Sequence, residues 1–111
     1  MINSSQAVIL SCSGKILTPD EKSFFAHAAP AGFILFGRNI EDKKQLKKLC
    51  SDLRASVGWH CPILIDQEGG RVRRMRPPVW PDYPSMKVIG DDLDEKRLIK
   101  TVQGISDDLR E

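Results

Sequence analysis

The sequence predicts an α/β protein in which helices cover a parallel sheet. Three short apolar runs, at residues 7–10, 32–36 and 62–65, alternate with two amphipathic segments, and a long loop and a last helix follow. Runs that are apolar throughout are typical of strands in parallel sheets that helices cover. The expected order is therefore β-α-β-α-β, then the loop, then α.

The first strand and helix have clear boundaries in the sequence. Ala7–Leu10 is apolar and partly β-branched, so it predicts a strand that is buried on both faces. Thr18 is placed as the N-cap of a helix, Pro19 as its first residue, and Glu21 as the partner in a capping box. We expect this helix to end near Ala28. The residues expected on its buried side are Phe24, Phe25 and Ala28.

The later elements follow the same logic. The second run ends in Gly37-Arg38-Asn39, which is turn chemistry, and Asp42 can cap a second helix that Gly58 ends. The third run changes abruptly to acid and glycine at residues 66–70, and an irregular stretch leads to a last helix from about Asp94. The expected apolar stripes are Leu46, Leu49, Cys50, Leu53 and Val57 on the second helix, and Leu98, Val102, Ile105 and Leu109 on the last.

Composition limits the class of protein. The chain has 111 residues and a formal net charge of +2, which fits one small domain or a piece of a larger one, and does not fit a general polyanion binder. Its three cysteines include no CxxC pair, so neither a disulfide framework nor a four-cysteine zinc site is expected. A reduced compartment fits better. With no basic N-terminal start and no apolar run near about 20 residues, we interpret the protein as cytoplasmic.

Two predicted strands end in polar residues, at the edge where parallel α/β folds bind ligands. Gly37-Arg38-Asn39 follows the second strand and Asp66 follows the third. Asp66 would lie at the mouth of a barrel or sheet, where a carboxylate can accept hydrogen bonds from two adjacent hydroxyls of a sugar or ribose. The alternative is that Asp66 and Glu68 are solvated turn residues, and the residue pattern leaves both interpretations open.

A group of arginines and two large aromatic residues follow Asp66. The arginines can clamp a carboxylate, a phosphate or sugar hydroxyls, form a short nucleic-acid patch, or be a solvated cluster. The aromatic residues can stack on a sugar or a base, although packing under the loop is the expected role. The residues in question are Arg71, Arg73, Arg74, Arg76, Trp80 and Tyr83.

The histidines and cysteines give no convincing nucleophile. Ser23 lies one helical turn before His27, and Cys61 follows His60, but neither pair has an obvious orienting acid. Both histidines also precede a strand, at the end of the fold opposite the expected site. We therefore interpret them as structural, and Cys12, Cys50 and Cys61 as packing residues.

Two segments together carry a specific pattern. The run Gly32-Phe33-Ile34-Leu35-Phe36-Gly37-Arg38-Asn39-Ile40, a helix, and then Ile65-Asp66-Gln67-Glu68-Gly69-Gly70-Arg71-Val72-Arg73-Arg74 resemble glycoside hydrolase family 3. The resemblance is narrower still to the bacterial β-N-acetylhexosaminidases of peptidoglycan recycling. It covers roughly residues 7 to 84, the last ten only in outline.

The resemblance implies a (β/α)8 TIM barrel that removes terminal β-linked N-acetylglucosamine from muropeptides or disaccharides, with retention. It implies that Asp66 and Arg74 bind hydroxyls of the non-reducing sugar and that no metal or organic cofactor takes part. The nucleophilic Asp and the acid/base His would lie in segments beyond residue 111. Residues 1–111 would be an N-terminal fragment of the barrel domain, about three βα units of a fold that needs about 250 residues, and inactive alone.

Two other functions stay open at this point. The chain can be a non-catalytic module that binds sugars or a partner protein, or a small nucleic-acid binder that uses residues 71–76; balanced charges elsewhere disfavour the second. Neither a membrane nor a nucleic-acid partner is expected. An incomplete barrel also exposes unpaired strand edges and an apolar patch, which offer a route to self-association. Made alone, such a chain is expected to be poorly soluble, partly folded or oligomeric.

Overall fold

A computed structural model describes residues 5–85, 87 and 95–110. The chain forms two compact units, Met1–Ile65 and Asp66–Glu111. The elements of the first unit are β1 (Gln6–Leu10), α1 (Pro19–Ala28), β2 (Pro30–Leu35), a 3₁₀ turn (Gly37–Asn39), α2 (Lys43–Val57) and β3 (Ile63–Ile65). The helix described in the second unit is α3 (Glu95–Arg110).

The first unit contains a three-stranded parallel sheet in the order β1-β2-β3. The central strand β2 pairs Phe33 with Leu10 on one side and with Ile63 on the other. A Cβ atom at Gly32 would lie 2.7 Å from the carbonyl oxygen of Pro62, so only glycine allows this approach of β2 to the segment before β3. The parallel α/β class and the β-α-β-α-β order are confirmed.

The helix boundaries also follow the local signals. Thr18 Oγ1 accepts a hydrogen bond from the backbone N–H of Glu21 at 3.1 Å, and Glu21 Oε1 accepts one from the N–H of Thr18 at 3.1 Å, which completes the capping box. Asp42 Oδ1 accepts from the N–H of Gln45 at 2.8 Å at the start of α2. Gly58, with φ of 82°, ends α2 in the left-handed region.

One hydrophobic core holds the first unit together. Phe25 of α1 meets Phe33 of β2 edge to face, with ring centroids 4.9 Å apart, and Leu49 and Leu53 of α2 are buried in the same cluster. The three cysteines are free thiols: Cys12 and Cys61 lie in this core and Cys50 packs against it, as predicted. Burial raises the pKa of all three thiols.

The expected burial of β1 and α1 is partly wrong. Val8 is 43% exposed and Ile9 51%, because among the described strands β1 lies at the edge of the sheet and pairs with β2 alone. Phe24 is 59% exposed, since neighbouring residues of a helix point about 100° apart and Phe25 faces the core.

The expected stripe of the last helix is also partly wrong. Ile105 is buried, but Leu98, Val102 and Leu109 are exposed, and the polar Thr101 is buried instead. Asp94, the expected start, lies outside the described residues; the helix is described from Glu95.

Candidate functional site

Asp66 and Arg74 are brought together directly after β3. Asp66 Oδ2 lies 3.7 Å from Arg74 Nη2, and the two side chains are 47% and 25% exposed respectively. The distance is an ion-pair distance, longer than the roughly 2.7–3.2 Å of a direct hydrogen bond. The pair therefore presents an acceptor group and a donor group side by side, each still accessible from solvent.

Gln67 fixes the backbone that carries Arg74. Its Oε1 atom accepts hydrogen bonds from the N–H of Arg74 at 2.9 Å and of Met75 at 3.1 Å, and its Nε2 donates to the carbonyl of Met75 at 2.9 Å. Both polar atoms of the Gln67 amide bind the backbone of residues 74 and 75, so the loop returns to Asp66 in a defined position. Sequence analysis did not single out Gln67, because an amide between two acids has no distinguishing spacing.

The two glycines allow the loop to turn so tightly. Gly69 and Gly70 have φ values of 85° and 59°, in the left-handed region that side chains disfavour. A Cβ on Gly69 would collide with the carbonyl oxygen of Pro84, and the N–H of Gly70 donates to the carbonyl of Tyr83 at 2.7 Å. Residues 69–70 thus pack directly against the returning backbone near residue 84.

The arginine cluster does not form one basic patch. Arg73 donates to the carbonyl of Gly70, and its Nε lies 3.1 Å from Asp82 Oδ1, while Arg74 pairs with Asp66. Arg76 Nε also donates to the carbonyl of Arg73 at 3.2 Å, so three of the four guanidinium groups bind acceptors of their own loop. These contacts stabilise the loop that carries Asp66 and Arg74.

The aromatic residues of the loop serve packing. Trp80 is 3% exposed, as predicted for packing under the loop. The Tyr83 ring lies against Gly104 of α3, and its hydroxyl donates to Asp108 Oδ2 at 3.1 Å. Burial, together with Asp108, raises the pKa of the Tyr83 hydroxyl. Neither ring is an open stacking platform.

In the first unit, the carboxyl ends of β1 and β2 are joined by the buried side chain of Asn39. Its Nδ2 donates to the carbonyls of Cys12 at 3.1 Å and Gly14 at 2.8 Å, and its Oδ1 accepts from the N–H of Phe36 at 3.0 Å. Asn39 is fully buried, so these hydrogen bonds take the place of those that its amide would form with water.

Three further side chains hold the loop after β1. Arg38 Nε donates to the carbonyl of Cys12 at 3.2 Å, and Gln45 Nε2 to the carbonyl of Lys15 at 2.8 Å. Glu21 Oε2 accepts from the N–H of Ser13 at 2.8 Å. Burial opposes ionisation of Glu21, but the hydrogen bonds from Ser13 and Thr18 outweigh it and lower the pKa of its carboxyl.

The remaining candidates do not join either group. His27 and His60 are both exposed in the first unit. Within residues 5–85, 87 and 95–110, no three His, Cys, Asp or Glu side chains come close enough together to hold a metal ion. No helix in the same ranges combines the length and apolar character that a membrane crossing requires.

Comparison with known proteins gives a consistent family. No protein-family model matches the sequence. The β-hexosaminidase of Bordetella avium is 37% identical over 91 residues, which are 82% of this chain and 26% of that protein. The NagZ structure of Neisseria gonorrhoeae in complex with N-trifluoroacetyl-D-glucosamine superposes with a TM-score of 0.73 at 31% identity, over 86% of this chain and 28% of that one.

A second solved structure extends the similarity to nearly the whole chain. The glycoside hydrolase family 3 β-N-acetylglucosaminidase of a Paenibacillus species superposes with a TM-score of 0.84 at 25% identity, over 96% of this chain and 21% of that one. The chain thus spans about a quarter of the length of the curated relatives it matches. The parallel sheet and these similarities agree: the chain matches an N-terminal fragment of the β-hexosaminidases of glycoside hydrolase family 3, a family of glycosidases.

Proposed function

We propose that the chain supplies sugar-binding residues to the barrel of a β-N-acetylhexosaminidase. Asp66 and Arg74 bind hydroxyls of a terminal, non-reducing N-acetylglucosamine. The observation that carries this proposal is the partly exposed carboxylate–guanidinium pair, with Oδ2 and Nη2 at 3.7 Å, which follows a parallel strand directly in the sequence. Ligands of parallel α/β folds bind at that position.

The chemistry of the pair suits a sugar diol. A hydroxyl group donates one hydrogen bond and accepts others, so two neighbouring hydroxyls need acceptors and donors close together. The Asp66 carboxylate provides acceptors alone, and the Arg74 guanidinium provides donors alone. Gln67 fixes the backbone at residue 74, which reduces the ordering that ligand binding would otherwise require.

The fold supports a barrel. The strands follow one another in the sheet in the order of the sequence, all parallel and joined by helices, which is the pattern that a (β/α)8 barrel repeats around its circle. The two outer strands, β1 and β3, each have an edge on which further barrel strands can pair. Residues 1–111 then correspond to the N-terminal three βα units of that domain.

In the proposed reaction this chain binds and does not perform the chemistry. Retaining glycosidases place a nucleophile and an acid/base group on either side of the scissile bond. We assign the nucleophilic Asp and the acid/base His to barrel segments outside the quarter matched here, and the substrate to peptidoglycan fragments that end in β-linked N-acetylglucosamine. The three free thiols fit action in the reducing cytoplasm.

The test is a titration of the purified 111-residue chain with N-acetylglucosamine, followed by chemical shifts in ¹⁵N NMR spectra. We expect saturable binding that weakens by about tenfold or more in Asp66→Asn and in Arg74→Met, since a hydrogen bond to a charged group contributes about 1.5–3 kcal/mol. The matched control is Asp52→Asn, which removes a carboxylate paired with Lys48 on α2.

Two outcomes would contradict the proposal. In one, the folded wild-type chain shows no shift with N-acetylglucosamine. In the other, Asp66→Asn binds as tightly as Asp52→Asn, which would place the sugar elsewhere on the chain.

A further inference from the structure

Tyr83 connects α3 to the segment of residues 66–75, which carries the proposed sugar-binding pair and is called the 66–75 loop below. The Tyr83 hydroxyl donates to Asp108 Oδ2 of α3 at 3.1 Å, and its backbone carbonyl accepts from the N–H of Gly70 at 2.7 Å. One residue therefore makes a hydrogen bond to the helix and another to the loop. All of these atoms belong to the second unit.

The contact on the loop side is reinforced beside Tyr83. Arg73 donates to the carbonyl of Gly70, and its Nε lies 3.1 Å from Asp82 Oδ1. The backbone of Gly70 is thus bound at both ends, through its N–H to Tyr83 and through its carbonyl to Arg73. Arg74 is the next residue of the chain, so the position of its backbone depends on these contacts.

The contact on the helix side leaves the Tyr83 ring little room. A Cβ atom at Gly104 would lie 2.6 Å from the Cε1 atom of the ring and 2.5 Å from the hydroxyl oxygen, closer than Cβ atoms approach other atoms. The absence of a side chain at Gly104 therefore lets the hydroxyl reach Asp108. Burial, together with Asp108, raises the pKa of the hydroxyl, so its proton stays in place at neutral pH.

We propose that Tyr83 is a positioning residue of the sugar site: its two hydrogen bonds hold the 66–75 loop in the conformation in which Arg74 faces Asp66. Tyr83 itself touches no sugar and acts through the backbone of the loop. Without its hydroxyl the loop is less ordered, and the ordering that binding then requires weakens the affinity for the sugar. This inference rests on the proposed sugar binding.

The first measurement is the affinity of the full chain for N-acetylglucosamine, from titrations followed in ¹⁵N NMR spectra. Tyr83→Phe keeps the ring and is expected to weaken binding by about threefold, because only part of the contribution of a remote hydrogen bond reaches the sugar. Asp108→Ala removes the acceptor of the same bond, so the double variant is expected to show no further loss. The matched control is Asp107→Ala, which removes the neighbouring carboxylate, bonded to Gln103.

Two variants separate positioning from general stability. Asp108→Asn keeps an acceptor for the hydroxyl and is expected to bind the sugar like the wild type. Gly104→Ala is expected to weaken binding as Tyr83→Phe does, because its Cβ displaces the ring, although alanine is the better helix former. If Gly104→Ala raises the melting temperature and binds as tightly as the wild type, the proposal is wrong.

A pH profile gives a readout that packing alone would not move. Tyr83 is the only tyrosine of the chain, so 3-fluorotyrosine, which ionises at lower pH than tyrosine, enters at this position alone. The ionised phenol cannot donate, and it faces the carboxylates of Asp108 and Asp107, while Asp82 on the loop side is paired with Arg73. The affinity of the labelled chain is therefore expected to fall as the pH rises through this ionisation, and Tyr83→Phe is expected to show no such fall.

The outcomes distinguish this inference from the proposed function. A folded wild type that does not bind N-acetylglucosamine contradicts both. A wild type that binds, with Tyr83→Phe and Asp108→Ala binding equally tightly, overturns the role of Tyr83 alone. An equal loss in Asp107→Ala and Asp108→Ala overturns it too, since the effect would then come from the charge of the helix and not from the hydrogen bond.

Discussion

Replacing Asn39 by alanine is expected to destabilise the first unit by about 3 kcal/mol. The substitution removes the donor to the carbonyl of Gly14 and the acceptor of the Phe36 N–H, while the carbonyl of Cys12 keeps its bond from Arg38. A buried polar group that loses its partner costs about 1–3 kcal/mol. Two such groups, both only partly buried, give the figure of about 3 kcal/mol.

That loss is large for a small domain, whose whole stability is about 5–15 kcal/mol. Urea unfolding, followed by far-UV circular dichroism, measures it directly. The free energy of unfolding falls by about 1–3 kcal/mol per molar urea. A loss of about 3 kcal/mol is therefore expected to lower the urea midpoint by about 1 M or more. The control is Gln103→Ala, an exposed amide on α3, with an expected change within about 0.5 kcal/mol.

Asn39→Asp gives an independent check of the same bonds. The aspartate keeps the acceptor for the Phe36 N–H, but its second oxygen faces the carbonyls of Cys12 and Gly14. A protonated carboxyl can donate a hydrogen bond to these carbonyls, whereas an ionised carboxylate is repelled by them. The folded state then holds the pKa of Asp at this position above its unfolded value of about 3.9. Relative to the wild type, the variant is expected to lose stability as the pH rises through about 4 and above.

The reasoning about Asn39 is refuted if Asn39→Ala shifts the midpoint no more than Gln103→Ala does. It is also refuted if the stability of Asn39→Asp relative to the wild type does not change with pH. Either result would mean that the loop after β1 does not depend on the amide.

Three more outcomes are expected. The purified chain is expected not to hydrolyse a chromogenic β-N-acetylglucosaminide, because the proposed reactive groups lie outside it; steady turnover, proportional to protein, would reverse that. Gly69→Ala is expected to weaken sugar binding and to disturb the NMR signals near Pro84, since its Cβ would meet that carbonyl, whereas unchanged spectra would show that the loop is not so tightly packed. The folded state lowers the pKa of the Glu21 carboxyl, so the ionised group stabilises the fold above about pH 4.3. The wild type is therefore expected to be more stable than Glu21→Gln above that pH, and the difference is expected to vanish as acid protonates Glu21. A difference that persists in acid would exclude a stabilising role of the ionised carboxylate.

The elements that were predicted from the sequence are those with local signals. Thr18, Asp42 and Gly58 act on backbone groups within a few residues, so residue type and spacing suffice to place the helix ends. Asp66 and Arg74 were named through the family resemblance and lie only eight residues apart, but their ion pair was not predicted.

The features that sequence analysis missed depend on distant partners. Asn39 binds carbonyls 25 and 27 residues away, and nothing in its neighbourhood indicates that its side chain is buried. The exposure of Leu98, Val102 and Leu109 has the same origin: Tyr83, 21 residues before Gly104 in the sequence, packs on Gly104 and decides which side of α3 turns inward. Periodicity identifies an apolar face, but the partner determines whether that face is covered.

The shared bonds at the ends of β1 and β2 have a consequence for how such a chain can be divided. The loop that follows the first strand is tied by side chains that arrive only after the second strand, Arg38, Asn39 and Gln45. A single strand–helix repeat, cut out or duplicated alone, would keep the hydrogen bond between Ser13 and Glu21 but would lose these three later contacts. The smallest piece that can be exchanged between relatives without loss of shape is therefore a pair of consecutive repeats, with the cut placed beyond α2.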